Sequence, residues 1–250
     1  YYQMKFFKVY GSAIIMFCIS MFANTITAQQ MKTANTSLSK QEKSIIAISS
    51  LAAKGDLVKL KAELSTGLDA GLTVNEIKEV LMHLYAYCGF PRSILDLQTF
   101  MEALSERKAK GIADTEGKGA SPVQQDSSKY QRGKKILSEL TKMPQTDKLS
   151  GYSAFAPVID TFLKEHLFAD IFERDVLTYV QRELVTISVI ATIGNANPML
   201  QAHLRISLNV GITPQQLQEF VTIIKPAAGI TEAKAAQTVL NSVLKSRASE

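Results

Sequence analysis

The stretch 60–89, LKAELSTGLDAGLTVNEIKEVLMHLYAYCG, decides the fold, because it recurs 140 residues later as 200–229, LQAHLRISLNVGITPQQLQEFVTIIKPAAG. Without a gap, the register aligns Leu60 with Leu200, Ala62 with Ala202, Leu64 with Leu204 and Leu68 with Leu208. It continues through Gly71 with Gly211, Thr73 with Thr213, Glu79 with Glu219 and Gly89 with Gly229. An offset this long exceeds any solenoid period, so the reading is one small unit used twice. Each copy reads as helix. Thr73 with Glu76 and Thr213 with Gln216 have capping-box spacing, in which the Thr oxygen takes an orphan backbone N–H and the acid or amide reaches back. Pro214 suits a first helical position. Ile77, Val80, Leu81, Leu84 and Cys88 form an apolar stripe at helical spacing, Gly89 supplies a left-handed stop, and the next helix restarts at Pro91.

Outward from this repeat, residues 44–54, 57–70, 184–193 and 199–210 are also helical in pattern, and strand-like alternation is nowhere sustained. The expected fold class is all-α, with two tandem helical units at 40–109 and 181–250. Residues 110–129, rich in Gly, Ser and charge, are read as a linker. Residues 130–180 are a helical, aromatic-rich insert. Within it Phe155, Phe162, Phe168, Phe172 and Tyr179 make the chain too apolar for a solvated connector, and it is expected to pack over the second unit.

The 250-residue chain is 46% hydrophobic and 20% charged, which excludes a wholly disordered chain. Lys5 and Lys8 precede an apolar run, 9–23, ending in Asn24-Thr25-Ile26-Thr27-Ala28. That order describes a secretory signal peptide over 1–28, with export to a periplasmic or secreted location and no stable membrane insertion after cleavage. Its removal takes two lysines and no acid, leaving 26 basic against 23 acidic residues, a net charge of +3. The remaining basic residues are scattered without aromatic interleaving, so a nucleic-acid partner is not expected. The same cut removes Cys18 and leaves Cys88 without an intramolecular disulfide partner.

The run from Gly55 through Leu-Lys-Ala-Glu-Leu to Gly71-Leu-Thr, with Glu76-Ile-Lys-Glu-Val-Leu and Tyr87-Cys-Gly-Phe-Pro91, resembles the carboxymuconolactone decarboxylase family. The second copy repeats the resemblance through Arg182-Glu183-Leu-Val-Thr-Ile, His203-Leu-Arg205, Asn209-x-Gly211 and Thr213. The resemblance implies an all-helical fold, a small-molecule substrate and a homo-oligomer, which for tandem chains is a trimer. Two chemistries occur in the family. The alkylhydroperoxidase D-like members use a Cys-x-x-Cys pair ahead of a His. Counted back from His203, the sulfur positions hold Met199 and Ala196; from the equivalent Glu63 they hold Lys59 and Asp56. Without those sulfurs the thiol peroxidase reading loses its nucleophile and its resolving partner.

The other chemistry is decarboxylation of a carboxylated lactone, which needs a positioned acid or base and a seat for a carboxylate. The two copies differ here in a complementary way. The second keeps His203, Arg205 and Asn209 where the first has Glu63, Ser65 and Asp69. The first keeps Tyr87-x-Gly89-x-Pro91 where the second has Ala227-x-Gly229-x-Thr231. A composite pocket follows, with His203 moving the proton and Glu183 orienting or charging it. Arg205, Tyr87, His83 and Cys88 are the expected substrate-binding residues.

His203 falls on the stripe Met199, His203, Ile206, Val210 and is expected to face packed surface; a hydrogen-bonded core histidine is the alternative. Arg205 points to another face, toward a neighbouring subunit or a substrate carboxylate. His83 lies four residues from both Glu79 and Tyr87, and a solvated Glu79–His83 pair is the simpler expectation for it. Cys88 has the alternative of a small buried apolar residue. No two of the three histidines share metal-ligand spacing, so neither metal nor cofactor is expected. The competing function class is a helical binding or scaffold oligomer that has lost catalysis, a choice that fold alone does not make.

Overall fold

The computed structural model describes residues 37–123 and 126–249, and those residues contain helices and no strand. The architecture below is that of the unit Leu38–Glu250. The expected signal peptide lies outside the described residues. In the first copy, α1 (Lys40–Lys54), α2 (Leu57–Asp69), α3 (Val74–His83), the single-turn α4 (Tyr85–Cys88) and α5 (Phe90–Ala109) follow one another. Between the copies come α6 (Lys129–Thr141), the short α7 (Tyr152–Phe155) and α8 (Pro157–Phe162), and α9 (Leu163–Phe172), which is wound as a π-helix. The second copy is α10 (Tyr179–Ile193), α11 (Asn197–Asn209), α12 (Pro214–Ala228) and α13 (Ile230–Arg247).

Local sequence sets these boundaries. Thr73 Oγ1 accepts from the Glu76 N–H at 3.2 Å while Glu76 Oε2 accepts from the Thr73 N–H at 2.8 Å. Thr213 and Gln216 do the same for α12 at 3.2 and 2.9 Å. Ser39 with Glu42 and Thr178 with Gln181 complete capping boxes on α1 and α10. Each such cap is worth about 1 kcal/mol. The first copy departs from the uninterrupted helix expected through Cys88. It breaks at Leu84, and α4 then ends at Gly89, whose φ of 78° places it in the region open to glycine. The break re-aims Tyr85 and Tyr87.

α1 and α10 pack on one another at the centre, and Ile45, Ile46, Ile48, Leu184, Val185, Ile187 and Val189 are all fully buried in a core shared by both copies. Truncating any of these to Ala costs about 2–5 kcal/mol. The insert forms a smaller core of Ile136, Leu140, Leu167, Phe168, Ile171 and Phe172, which Ile206 of α11 joins. It touches the first copy as well as the second, through Tyr85 and Tyr87, and so is not a cover for the second copy alone. Residues 113–117 lie against the start of α3, where the Val74 and Asn75 N–H groups donate to the Thr115 and Glu116 carbonyls, both at 2.9 Å. Arg107 holds Asp114 and Asp69 at 2.8 Å. The stretch expected as a linker is therefore tied down at several points.

α6 and α9 approach so closely that a Cβ on Gly133 would lie 1.8 Å from the Lys164 backbone carbonyl oxygen. A backbone atom in that position has nowhere to go. Gly133→Ala is expected to destabilise the chain by about 1–3 kcal/mol, read as a lowered midpoint in thermal unfolding, and an unchanged midpoint would show that the crossing is looser than described.

Asp96 on α5 is fully buried, and neither carboxylate oxygen has a hydrogen-bond partner among the described residues. Burial pushes its pKa up to about 7, only partly offset by the nearby Arg92 guanidinium. Because the folded value lies above the ordinary value of about 4, the carboxyl imposes no penalty below about pH 4. The penalty grows as pH rises and is complete above about pH 7. Thermal unfolding followed from pH 5 to 8 should show stability falling in the parent chain and a flatter profile in Asp96→Asn; parallel profiles would contradict this.

Candidate active site

The site assembles from two faces. On the first copy, Glu79, His83 and Tyr87 follow at four-residue intervals along α3 and α4. On the second, Arg182, Glu183 and Thr186 lie in the first half of α10, and His203 comes from α11. α10 is buried nearly all round, and both Arg182 and Glu183 are 0% exposed. A charge in that position must be paired and hydrogen-bonded to be tolerated. Arg182 is: its Nη2 donates to Glu79 Oε1 at 2.8 Å and to the Arg174 carbonyl at 2.6 Å, and its Nη1 donates to His83 Nδ1 at 3.1 Å. Glu79 is gripped a second time by Arg174 Nε at 2.9 Å. Phe172 of the insert covers the group, with its ring centroid 5.0 Å from that of His83 and 5.9 Å from Arg182 Cζ.

His83 is fully buried rather than solvated, and its partners are Arg182 and Thr186, not Glu79. This overturns the expectation of an exposed Glu79–His83 pair. The four-residue spacing puts both side chains on one face, and that face is covered by α10 and Phe172. Burial, with Arg182 beside it, holds the His83 pKa well below the ordinary histidine value. His83 Nε2 lies 2.9 Å from Thr186 Oγ1, and Tyr87 Oη lies 3.2 Å from the same oxygen. Burial first, and the Glu183 charge second, raise the Tyr87 phenol pKa, so the phenol keeps its proton at neutral pH.

His203 Nδ1 is 3.0 Å from Glu183 Oε2, and the His203 and Tyr87 rings meet edge to face with centroids 6.3 Å apart. The His203 side chain is 14% exposed, and its Nε2 has no protein hydrogen-bond partner among the described residues. Glu183 Oε1 is buried and likewise without a partner there. Four residues named from sequence, His203, Glu183, Tyr87 and His83, are thus brought together from both copies. They do not line the described pockets; one of about 200 Å³, bordered by Gly194, Asn195, Leu200 and Glu232, belongs to another part of the second copy.

Arg205 is not brought to this cluster; its Nη2 donates to Ser246 Oγ on α13 at 2.7 Å. Asn209 is also turned away, donating to the Leu140 and Thr141 carbonyls at 3.1 Å and accepting from Arg247 at 2.8 Å. Cys88 is half-buried against the main core, and its thiol is pushed up to about 11 by burial and by Asp96. Among the described residues no group of three or more His, Cys, Asp or Glu side chains is placed to hold a metal ion.

The sequence profile of the carboxymuconolactone decarboxylase family matches residues 21–96 and 157–241, the second match beginning within the aromatic insert. The chain belongs to the carboxymuconolactone decarboxylase family. It is similar to the 4-carboxymuconolactone decarboxylase of Acinetobacter baylyi, at 26% identity over 121 residues, which is 48% of this chain and 90% of that one. As a member of the family, the chain carries two matched regions. Its His203–Glu183 pair lies in the second match, and Tyr87 and His83 lie in the first.

Sequence reasoning missed Arg182, Thr186 and Phe172 as parts of the site. A signal was present for the first two: Arg182 and Thr186 lie one helical turn apart on one face of a helix whose residues 182–192 are all buried. Removing Glu79 leaves the Arg182 guanidinium buried without its carboxylate. Glu79→Ala is expected to cost about 3–5 kcal/mol in urea unfolding and Glu79→Gln clearly less, whereas a loss below about 1 kcal/mol for both would show that the pair does not hold the copies together.

Proposed function

We propose that the chain is a decarboxylase-like lyase that acts by histidine acid–base chemistry on a small carboxylated lactone or related acid. The reading rests on one observation: His203 is hydrogen-bonded to a fully buried Glu183 and lies against Tyr87 from the other copy. A carboxylate oxygen accepts from Nδ1–H, so Glu183 fixes the ring's orientation and leaves Nε2 to exchange a proton with a ligand. In the proposed step the bond between the lactone skeleton and its carboxylate breaks and carbon dioxide leaves without the bonding electrons. The pair passes into the unsaturated lactone as an enolate, and the carbon then takes a proton from His203. Cys88 offers no competing thiol chemistry, since its raised pKa keeps it protonated at neutral pH.

The experiment is carbon dioxide release from carboxylated, unsaturated γ-lactones by the purified chain. With a turned-over substrate in hand, His203→Ala is expected to lower kcat by about 10²–10⁴-fold while circular dichroism stays helical. An unchanged kcat in that variant would remove His203 from the chemistry. Absence of turnover across the series, with a folded chain, would favour a binding or scaffold role, consistent with the first copy's Glu63 at the position of His203.

A further inference from the structure

We infer that Arg182 sets the direction of a buried hydrogen-bond chain, Arg182 to His83 to Thr186 to Tyr87, so that the Tyr87 hydroxyl faces the His203 side as a donor for an anionic oxygen of the ligand. This rests on the site reading above and assigns the carboxylate or enolate seat that Arg205, bonded to Ser246, was expected to fill.

The polarity follows atom by atom. A guanidinium has donors and no acceptor and keeps its proton at physiological pH. At 3.1 Å from Arg182 Nη1, His83 Nδ1 must therefore be the acceptor and carry no hydrogen. A neutral imidazole with a bare Nδ1 carries its hydrogen on Nε2, which donates to Thr186 Oγ1 at 2.9 Å. The depressed pKa of His83 agrees with the neutral ring. Thr186 then has its own hydroxyl proton to place. Ser188 and Thr192, on the same helix, give theirs to the carbonyls four residues back, at 2.6 and 2.7 Å. Thr186 makes no such bond among the described residues, and the acceptor within reach is Tyr87 Oη at 3.2 Å. With its oxygen accepting from Thr186, Tyr87 has its own proton free.

Thr186 and Arg182 are positioning residues in this scheme, and Tyr87 is the group that meets the ligand. The chain begins at a fixed cation and is shielded by Phe172, so its direction does not reverse with ordinary changes of pH. A phenol that keeps its proton is a suitable donor to a carboxylate or to an enolate oxygen as charge develops.

Two ligand-free measurements and one binding measurement test this on the full chain. In ¹⁵N-histidine-labelled protein, two-bond ¹H–¹⁵N correlation should show His83 as the neutral Nε2–H tautomer; the Nδ1–H tautomer would overturn the chain. The Tyr87 Cζ resonance should move in Thr186→Val and return in Thr186→Ser, and an unmoved resonance in a folded Thr186→Val protein would also overturn it. For binding, the probe is paraconate, a saturated γ-lactone bearing one carboxylate, titrated calorimetrically. Tyr87→Phe is expected to weaken it by about tenfold or more, Thr186→Val to weaken it in the same direction, and Thr186→Ser to restore it. Equal affinity in parent and Tyr87→Phe chains would refute the donor role. A parent chain that passes both ligand-free tests yet binds no paraconate sustains the oriented chain and counts against the acid–base reading of the site, so the two failures are separable.

Discussion

The structure depends on a single buried cation. Arg182 has left water completely, and its desolvation is offset only because the Glu79 carboxylate, the Arg174 carbonyl and the His83 ring meet it from three directions. Glu79 and His83 come from the first copy, Arg174 from the segment that joins the copies, and Arg182 from the second. Apolar packing between α1 and α10 would tolerate some sliding, since aliphatic side chains repack at modest cost. A guanidinium with directional bonds to α3 and to the turn that precedes α10 tolerates little. The hydrophobic core supplies the driving force, and the ion group fixes which arrangement of the two copies is adopted.

That arrangement explains why one copy's losses are tolerable. The repeat persists where it serves the fold: Arg107 bonds Asp69 in the first copy, and Arg247 bonds Asn209 at the corresponding places in the second. It has diverged at the site. Glu63 replaces the histidine in one copy, and Ala227 replaces the tyrosine in the other. Across the interface the retained halves meet, His203 with Glu183 on one side and Tyr87 with His83 on the other. The aromatic insert completes the group by laying Phe172 over it, which lowers the local dielectric and strengthens every polar contact beneath.

Much of this was readable before any coordinates. The capping boxes at Thr73 and Thr213 follow from side-chain chemistry within four residues, and the duplicated register follows from eight coincident identities. The His203–Glu183 partnership was named as well, on a resemblance rather than on periodicity. What failed were statements about which face of a helix is covered. The Glu79–His83 spacing is equally good for a solvated pair and for a buried row, and only the placement of α10 and Phe172 decides between them. Arg182 was passed over because periodicity carries no information in a helix that is buried all round. Residues 110–129 have the composition of a spacer, yet Arg107 and the free N–H groups at the start of α3 hold Asp114, Thr115 and Glu116 in place.

Native-state hydrogen exchange tests the central claim, that the two copies are one cooperative body clamped at Arg182. The account predicts that the slowest amides of α3 and α10 open with the same free energy and that Glu79→Gln lowers both by the same amount. Two separate opening energies, with only α3 responding to the substitution, would contradict it.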